Sequence, residues 1–570
     1  MRSFLSSQAA IGRRMVRGCM PPVKLRYVPL GGLGEVGLNM WALEWEGQVL
    51  LVDAGLMFPQ EDWPGVDLVI PDIAWALEEG RTVLGVVLTH GHEDHVGALP
   101  FLLDRLKAPV YGTRLTLGLL RPKLKEQRVL QSADLRELRG GDRVQLGPFR
   151  VEPVPVCHSI PDAVALAVET PVGRVLYTSD FKLDDAPLYG LPTDLERFRQ
   201  LGDAGVLLLL SDSTNAERPG HSGSERDLVD SFDRVFQAAP SRIVVATFAS
   251  NIHRIQLVLE LAERHGRRVG VVGRSLVNNF RTARELGYLK VPSGLVVQLD
   301  ERSAEDPRLV LLTAGAQGEP VSALSRFAAR KHPLTNVREG DWVVISARPI
   351  PGNERLVNKT VNNLYRNGAR VFYSELERVH VSGHAYRDEL LEVLQLVRPR
   401  FFIPVHGEYR QLHHHAELAR EAGIAAENVL IVEDGRSVEV DADSIRAGEA
   451  IGSGFVFVDG LGVGDVEEVV LRDRRRLAQE GVLLVTVAVD RETGAVRAGP
   501  EIVSRGLIEP EVSGALMEEA RAAAIEALAR LADDRPEPSL LREAVHQAVQ
   551  RVVFKRTKRR PMVIPVVTEI

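Results

Sequence analysis

Six consecutive residues, His90-Gly91-His92-Glu93-Asp94-His95, constrain this chain more than any other stretch. They follow the apolar run Leu84-Gly85-Val86-Val87-Leu88-Thr89, which reads as a buried strand. Three imidazoles and two carboxylates packed into one turn are costly for a folding chain unless something pairs them. Imidazole and carboxylate are ligands that suit zinc and manganese. The spacing favours two ions over one. His90 and His92, two residues apart, can share one ion, while Asp94 and His95 turn toward a second. Two ions roughly 3.5–4 Å apart form a clamp for hydrolysing a phosphodiester or a related ester. The bland alternative is a polar loop with solvated histidines.

At 570 residues the chain exceeds one core, so two to four domains are expected. A net charge of −7 gives no global basic field, yet a local basic channel is enough for a nucleic-acid backbone. Two cysteines far apart, Cys19 and Cys157, argue against a disulfide framework and fit a reducing, cytoplasmic setting. No apolar run is long enough for a membrane span. Residues 1–22 carry Arg2, Arg13, Arg14 and Arg17 with no acid and read as an N-terminal extension.

Other polar residues recur at strand ends. Val49–Val52 leads into Asp53, placed to orient a ligand histidine from behind. Val151–Cys157 leads into His158, and Val175–Ser179 into Asp180, whose carboxylate can bridge two metals. Leu207–Leu210 precedes Ser211-Asp212-Ser213-Thr214-Asn215, and Phe401–Val405 precedes His406. Hairpins followed by strand–loop–helix units read as an α/β sandwich. From about 225 to 380, strands such as Val343–Ser346 alternate with amphipathic helices such as Arg254–His265, a second α/β layer inserted into the first. The loop His380-Val381-Ser382-Gly383-His384 offers two imidazoles, a hydroxyl and a glycine N–H, a set that can grip a terminal phosphate. His413-His414-His415 lie in a helical pattern and read as surface. A glycine-rich connector then leads to a separate module: strand 482–489, helices 513–531 and 539–552, strand 562–567. The basic run Lys555, Arg556, Lys558, Arg559 and Arg560 precedes its last strand.

These residues resemble the β-CASP group of metallo-β-lactamase-fold nucleases, and within it the ribonuclease J family. Asp53, the His90–His95 cluster, His158 and Asp180 match the successive metallo-β-lactamase motifs. Asp212, His384 and His406 match the three β-CASP motifs, and Gly315-Ala316-Gln317-Gly318-Glu319-Pro320 is also similar. The resemblance implies a metallo-β-lactamase αββα sandwich (residues 23–224 and 381–450) with an inserted β-CASP α/β domain (225–380). A linker (451–480) and a small α/β C-terminal domain (481–570) follow. It implies one ion on His90, His92, His158 and Asp180, and a second on Asp94, His95, Asp180 and His406. Histidine at position 406 favours RNA over DNA.

The implied activity is metal-dependent hydrolysis of RNA, 5′→3′ from a 5′-monophosphate with endonucleolytic cuts as well, in mRNA decay and rRNA maturation. Asp94, Asp212 and His384 are the catalytic residues expected: Asp94 to hold water, His384 as acid or oxyanion stabiliser. The loop His380–His384 resembles the pocket for a 5′-monophosphate, and Phe248-Ala249-Ser250 its facing side. Gly65, Asp67 and Asp459 resemble a structural calcium site. Single-stranded RNA, a homodimer or tetramer, and partners in an RNA-degradation complex are the associations implied. The alternatives weighed are a small-ester or thioester hydrolase of the same fold and a non-catalytic RNA-binding scaffold.

Overall fold

The computed structural model describes residues 24–60, 63–460, 462–493, 495–507, 514–531 and 537–570. The basic extension read over 1–22 lies outside these residues, as does Ser513 at the start of one expected helix. Two compact units form. The first comprises Met1–Gly55 and Pro71–Gly454, the second Leu56–Ile70 and Phe455–Ile570.

In the first unit an eight-stranded sheet faces a six-stranded one. Period-two alternation builds the layers, because successive strand side chains point to opposite faces. Along Leu208–Asp212, Leu208 and Leu210 enter the core shared with Trp41, Leu50 and Val52 of the other sheet. Leu209 between them turns outward, onto Phe198, Leu394 and Leu418 of the covering helices. Truncating such a buried leucine to alanine costs about 2–5 kcal/mol.

The chain leaves this sheet at Asp212 and returns with Phe401–Val405, which pairs in parallel with the strand it left, Asp212 opposite Val405. The intervening segment makes its own all-parallel sheet, in the order Arg268–Val272, Leu309–Thr313, Ile243–Ala246, Trp342–Ile345, Arg370–Phe372. Its central strand is buried on both faces: Ile243 and Val245 in one core, Val244 and Ala246 in the other. Continuous apolar runs are what such strands require. Fully buried Arg254 ties both chain crossings together. It pairs with Glu225 at 2.8 Å and donates to the Val379 carbonyl at 3.0 Å.

In the second unit, Val482–Val489 pairs antiparallel with Val496–Arg505 and parallel with Met562–Glu569. Leu483, Val485, Val487 and Val489 pack against Ala520, Ala524, Val545 and Val549 of the helices Gly514–Ala529 and Pro538–Thr557. Much of the basic run is engaged locally. Arg556 pairs with Glu519, and Arg560 lies over the Phe554 ring.

Candidate metal centre

Strand ends supply the site. Asp53 follows Gln48–Val52, His90 follows Thr82–Val87, His158 follows Phe149–Pro155, and Asp180 follows Gly173–Tyr177. Parallel register between Tyr177 and Leu210, and between Asp212 and Val405, brings Asp180, Asp212 and His406 to one end of the sheet. Asp53, Ser179 and His406 take positive φ of 57°, 54° and 55°. Left-handed backbone at non-glycine residues costs on the order of 1–3 kcal/mol each and gathers at functional sites. The turn also needs a glycine behind it. A Cβ on Gly55 would fall 1.7 Å from the Asp94 carbonyl oxygen.

Three metal-capable groups share Asp180, the third, with Asp212, His384 and His406, overlapping the second. In the first, His92 Nδ1 lies 3.0 Å from His90 Nε2 and 3.1 Å from His158 Nε2, while Asp180 Oδ2 is 3.6 and 3.8 Å from those two Nε2 atoms. In the second, His95 Nε2 stands 3.3 Å from Asp180 Oδ2, and His406 Nε2 stands 3.5 Å from both Asp94 Oδ2 and Asp180 Oδ1.

Outer contacts fix which nitrogen faces inward. His158 Nδ1 donates to the Gly383 carbonyl at 2.7 Å, and His95 Nδ1 to Asp53 Oδ2 at 2.8 Å. Thr89 gives its N–H and hydroxyl to Asp53, leaving its oxygen to accept from His90 Nδ1 at 3.1 Å. His406 Nδ1 is 2.8 Å from Thr214 Oγ1. Such partners set tautomer and basicity in metal-ligating histidines.

Protonation divides the two groups. Burial, reinforced by the neighbouring imidazoles, holds His90 and His158 well below the usual histidine range, and burial holds His92 at about 4. His95 and His406 go the other way. Burial is the largest single influence and opposes their charge, but the carboxylates together outweigh it: Asp180 with Asp53 and Asp94 around His95, and Asp180 with Asp212 and Asp94 around His406. Asp180 is itself held far below the carboxylate range: burial is overcome by His406, His95 and His384.

The donor set fits divalent ions. With His90 and His158 donating outward, two nitrogen lone pairs converge on His92 Nδ1, which can satisfy only one of them. Asp180 Oδ1 is buried with no hydrogen-bond partner. Two carboxylates and five imidazoles without cysteine suit divalent metal ions.

His384 approaches from the returning segment. Its Nδ1 is 2.8 Å from Asp212 Oδ2 and 4.0 Å from Asp180 Oδ2. Burial lowers its pKa, and the Asp212 and Asp180 charges more than reverse that. The loop it ends is divided in two. Gly383 lies tight against His158, where a Cβ would stand 2.7 Å from the ring, and Ser382 Oγ takes the Asn215 side chain at 3.0 Å. His380 and Val381 instead line a cavity of about 390 Å³ with Arg348, Ser374 and Tyr386. Phe248-Ala249-Ser250 leads into the helix Ile252–Arg264, whose Arg254 reaches Val379 beside that loop. In the second unit Gly460 N donates to Asp67 Oδ2 at 2.8 Å, and the Asp459 carboxylate pairs with Arg474. Gly65 also abuts Arg474.

Several residues at the centre carried no signal of their own in the sequence. Asn39 Nδ2 sits 3.4 Å from Asp94 Oδ2 and 3.2 Å from His95 Nε2. Thr89 and Thr214 flank recognised residues and could have been found by adjacency alone. His415 corrects the surface assignment of His413–His415: it is fully buried, because helical periodicity turns it inward with Leu412, Ala416 and Ala419.

A metallo-β-lactamase sandwich with an inserted parallel α/β domain and a histidine–aspartate centre defines a class of metal-dependent hydrolases. Residues 33–247 match the metallo-β-lactamase superfamily, 240–364 the ribonuclease J β-CASP domain, 372–432 the Zn-dependent metallo-hydrolase RNA specificity domain, and 469–570 the ribonuclease J C-terminal domain. The chain belongs to the ribonuclease J family. It is 41% identical to ribonuclease J of Thermus thermophilus over 96% of both chains. It is 38% identical to ribonuclease J2 of Bacillus subtilis over 96% of this chain and 99% of that one. A crystal structure of a protein of unknown function from Enterococcus faecalis V583 shares the fold. It has a TM-score of 0.51 and 18% identity, and covers 73% of this chain and 100% of that one.

Proposed function

We propose that this chain, a metal-dependent ribonuclease by family, degrades single-stranded RNA 5′→3′ from a 5′-monophosphate end and also cuts internally, in mRNA decay and rRNA maturation. Two divalent ions, zinc or manganese, would be held by His90, His92, His158 and Asp180 and by Asp94, His95, Asp180 and His406. The observation that carries this reading is Asp180. It belongs to both groups, and its buried Oδ1 makes no hydrogen bond, with His406 Nε2 at 3.5 Å, an arrangement a bridging ligand would explain.

Bound ions there would supply acidified water and neutralise charge on the scissile phosphate. The protein does the rest. Asp53 and Thr89 orient His95 and His90, and Asp94, with Asn39 Nδ2 at 3.4 Å, would hold the attacking water. His384, its proton retained by Asp212 and Asp180, is the donor for the departing 3′-oxygen. The loop His380–His384, together with Phe248-Ala249-Ser250, would receive the 5′-phosphate. The Gly383 contact with His158 fixes that loop's distance from the metal ligands. The C-terminal module would support a homodimer. A calcium ion at Gly65, Asp67 and Asp459 would compete with Arg474 for Asp459.

The test is one end-labelled RNA carrying a 5′-monophosphate, 5′-triphosphate or 5′-hydroxyl, with manganese added. A chelator and an Asp94→Ala, His95→Ala double variant serve as controls. Mononucleotides released from the 5′ end, fastest with the monophosphate and absent in both controls, are expected. Internal cuts indifferent to the 5′ group would remove the phosphate-loop assignment, and cleavage surviving the double variant would overturn the metal assignment.

A further inference from the structure

The helix Tyr409–Glu421 follows His406 directly and carries two polar side chains, buried and one turn apart, that face the same loop. Gln411 Nε2 donates to the Thr214 carbonyl at 2.6 Å, while its Oε1 accepts from Glu408 N at 2.8 Å. His415 Nδ1 lies 3.0 Å from Ser213 Oγ, its ring edge-on to Phe402. His415 Nε2 is buried without a partner. A buried N–H left unpaired is rarer than an unpaired acceptor, so the ring proton belongs on Nδ1. Nδ1–H then donates to Ser213 Oγ, and the serine hydroxyl donates to the Ser211 carbonyl at 3.3 Å.

What these contacts hold is the backbone that presents the second metal-capable group. Ser213 N donates to the His406 carbonyl at 3.2 Å, across a residue kept in the left-handed region. Thr214, immobilised by Gln411, meets His406 Nδ1, and Asp212 takes both Thr214 N and His384 Nδ1. Left-handed backbone at a non-glycine residue persists only where its surroundings over-determine it.

We propose that His415 is a positioning residue. Acting through Ser213, it holds the Asp212–Thr214 loop so that His406 presents Nε2 to the second ion and His384 keeps its partner. The proposal rests on the two-ion reading for its effect on metal binding, but not for its effect on His406.

Three full-length variants test it. His415→Leu removes the donor, and His415→Asn restores a donor near the Nδ1 position. Ser213→Ala removes the receiving hydroxyl and serves in its place should the leucine variant fail to fold. Isothermal titration with manganese is expected to show the weaker of two ions bound about tenfold less tightly in the leucine and alanine variants. The stronger ion should be unchanged and the asparagine variant near wild type. Histidine ring ¹H–¹⁵N spectra of chelator-treated protein, with the His406 signal assigned from His406→Gln, give a metal-free readout. That signal should shift in the leucine variant and return in the asparagine variant. An unshifted His406 signal, or equal weakening of both ions alongside a lower melting temperature, would overturn the proposal. A wild type that binds fewer than two ions would overturn the two-ion reading instead, and the His406 signal would still decide the role of His415.

Discussion

The two halves of the centre meet the same difficulty in opposite ways. His90, His92 and His158 face one another as neutral rings, kept so by burial, and leave a lone pair unanswered. His95 and His406, a few ångströms away, are held protonated because three aspartates surround each of them. One half is therefore a set of neutral imidazoles with lone pairs in place, and the other is a set of internal ion pairs. A cation entering the first gains free nitrogen lone pairs. Entering the second, it has to displace protons. Residue types so alike end in different states because only the second half is ringed by carboxylates.

The harshest way to break the comparison is to remove what both halves share. Asp180→Asn should lower turnover by at least about a thousandfold, since it removes both the bridge and the field holding His95 and His406 charged. Elemental analysis should find both ions depleted. Retention of one full equivalent would show that a half stands alone.

The next test sharpens the comparison through pH. Because the His95 and His406 pKa values are raised, their protons are easier to displace as pH increases. Affinity at that half should rise with pH, by about tenfold per unit for each proton displaced. His92, held at about 4, is already deprotonated at neutral pH, so the other half should be nearly pH-independent above 6. Titration calorimetry in two buffers of different ionisation enthalpy counts the protons. Equal slopes for both ions would remove the distinction.

The smallest effect comes from a third solution to buried charge, with no cation at all. Burial raises Glu35 to about 7, and burial with the Glu35 charge raises Asp434 to about 8. Asp434 accepts from Leu33 N at 3.2 Å, in the strand beside Gly407. The folded protein keeps these protons while the unfolded chain loses them above pH 4, so stability falls as pH rises from 4 toward 8. Asp434→Asn should therefore raise the melting temperature at pH 8 by about one degree, corresponding to about 1 kcal/mol for a chain of this size, and change little at pH 4. An equal gain at both pH values would mean that the pair is already charged.

Much of this centre is legible in the sequence because metal chemistry needs rare residue types at strand ends. His90–His95, His158, Asp180 and His406 each follow an apolar run. The inserted sheet is legible too, its strands being unbroken apolar segments between amphipathic helices. Asn39 and Thr214 are not, since asparagine and threonine are ordinary in turns and their roles depend on partners brought up by folding. His415 shows the limit most plainly. Three consecutive histidines on a helix suggest solvent, and the serine that the third one meets lies 202 residues earlier.

The parallel pairing of Leu208–Asp212 with Phe401–Val405 also sets an order of assembly. During synthesis the first strand is made long before its neighbour, and the entire inserted sheet emerges between them. Until Phe401–Val405 arrives, Leu208–Leu210 form an uncovered, strongly apolar edge, the kind that pairs with the wrong chain. Since His406 arrives at the end of the strand that covers this edge, the act that completes the histidine–aspartate cluster also removes the aggregation hazard. A nascent chain therefore cannot assemble its full metal centre while that edge is still exposed.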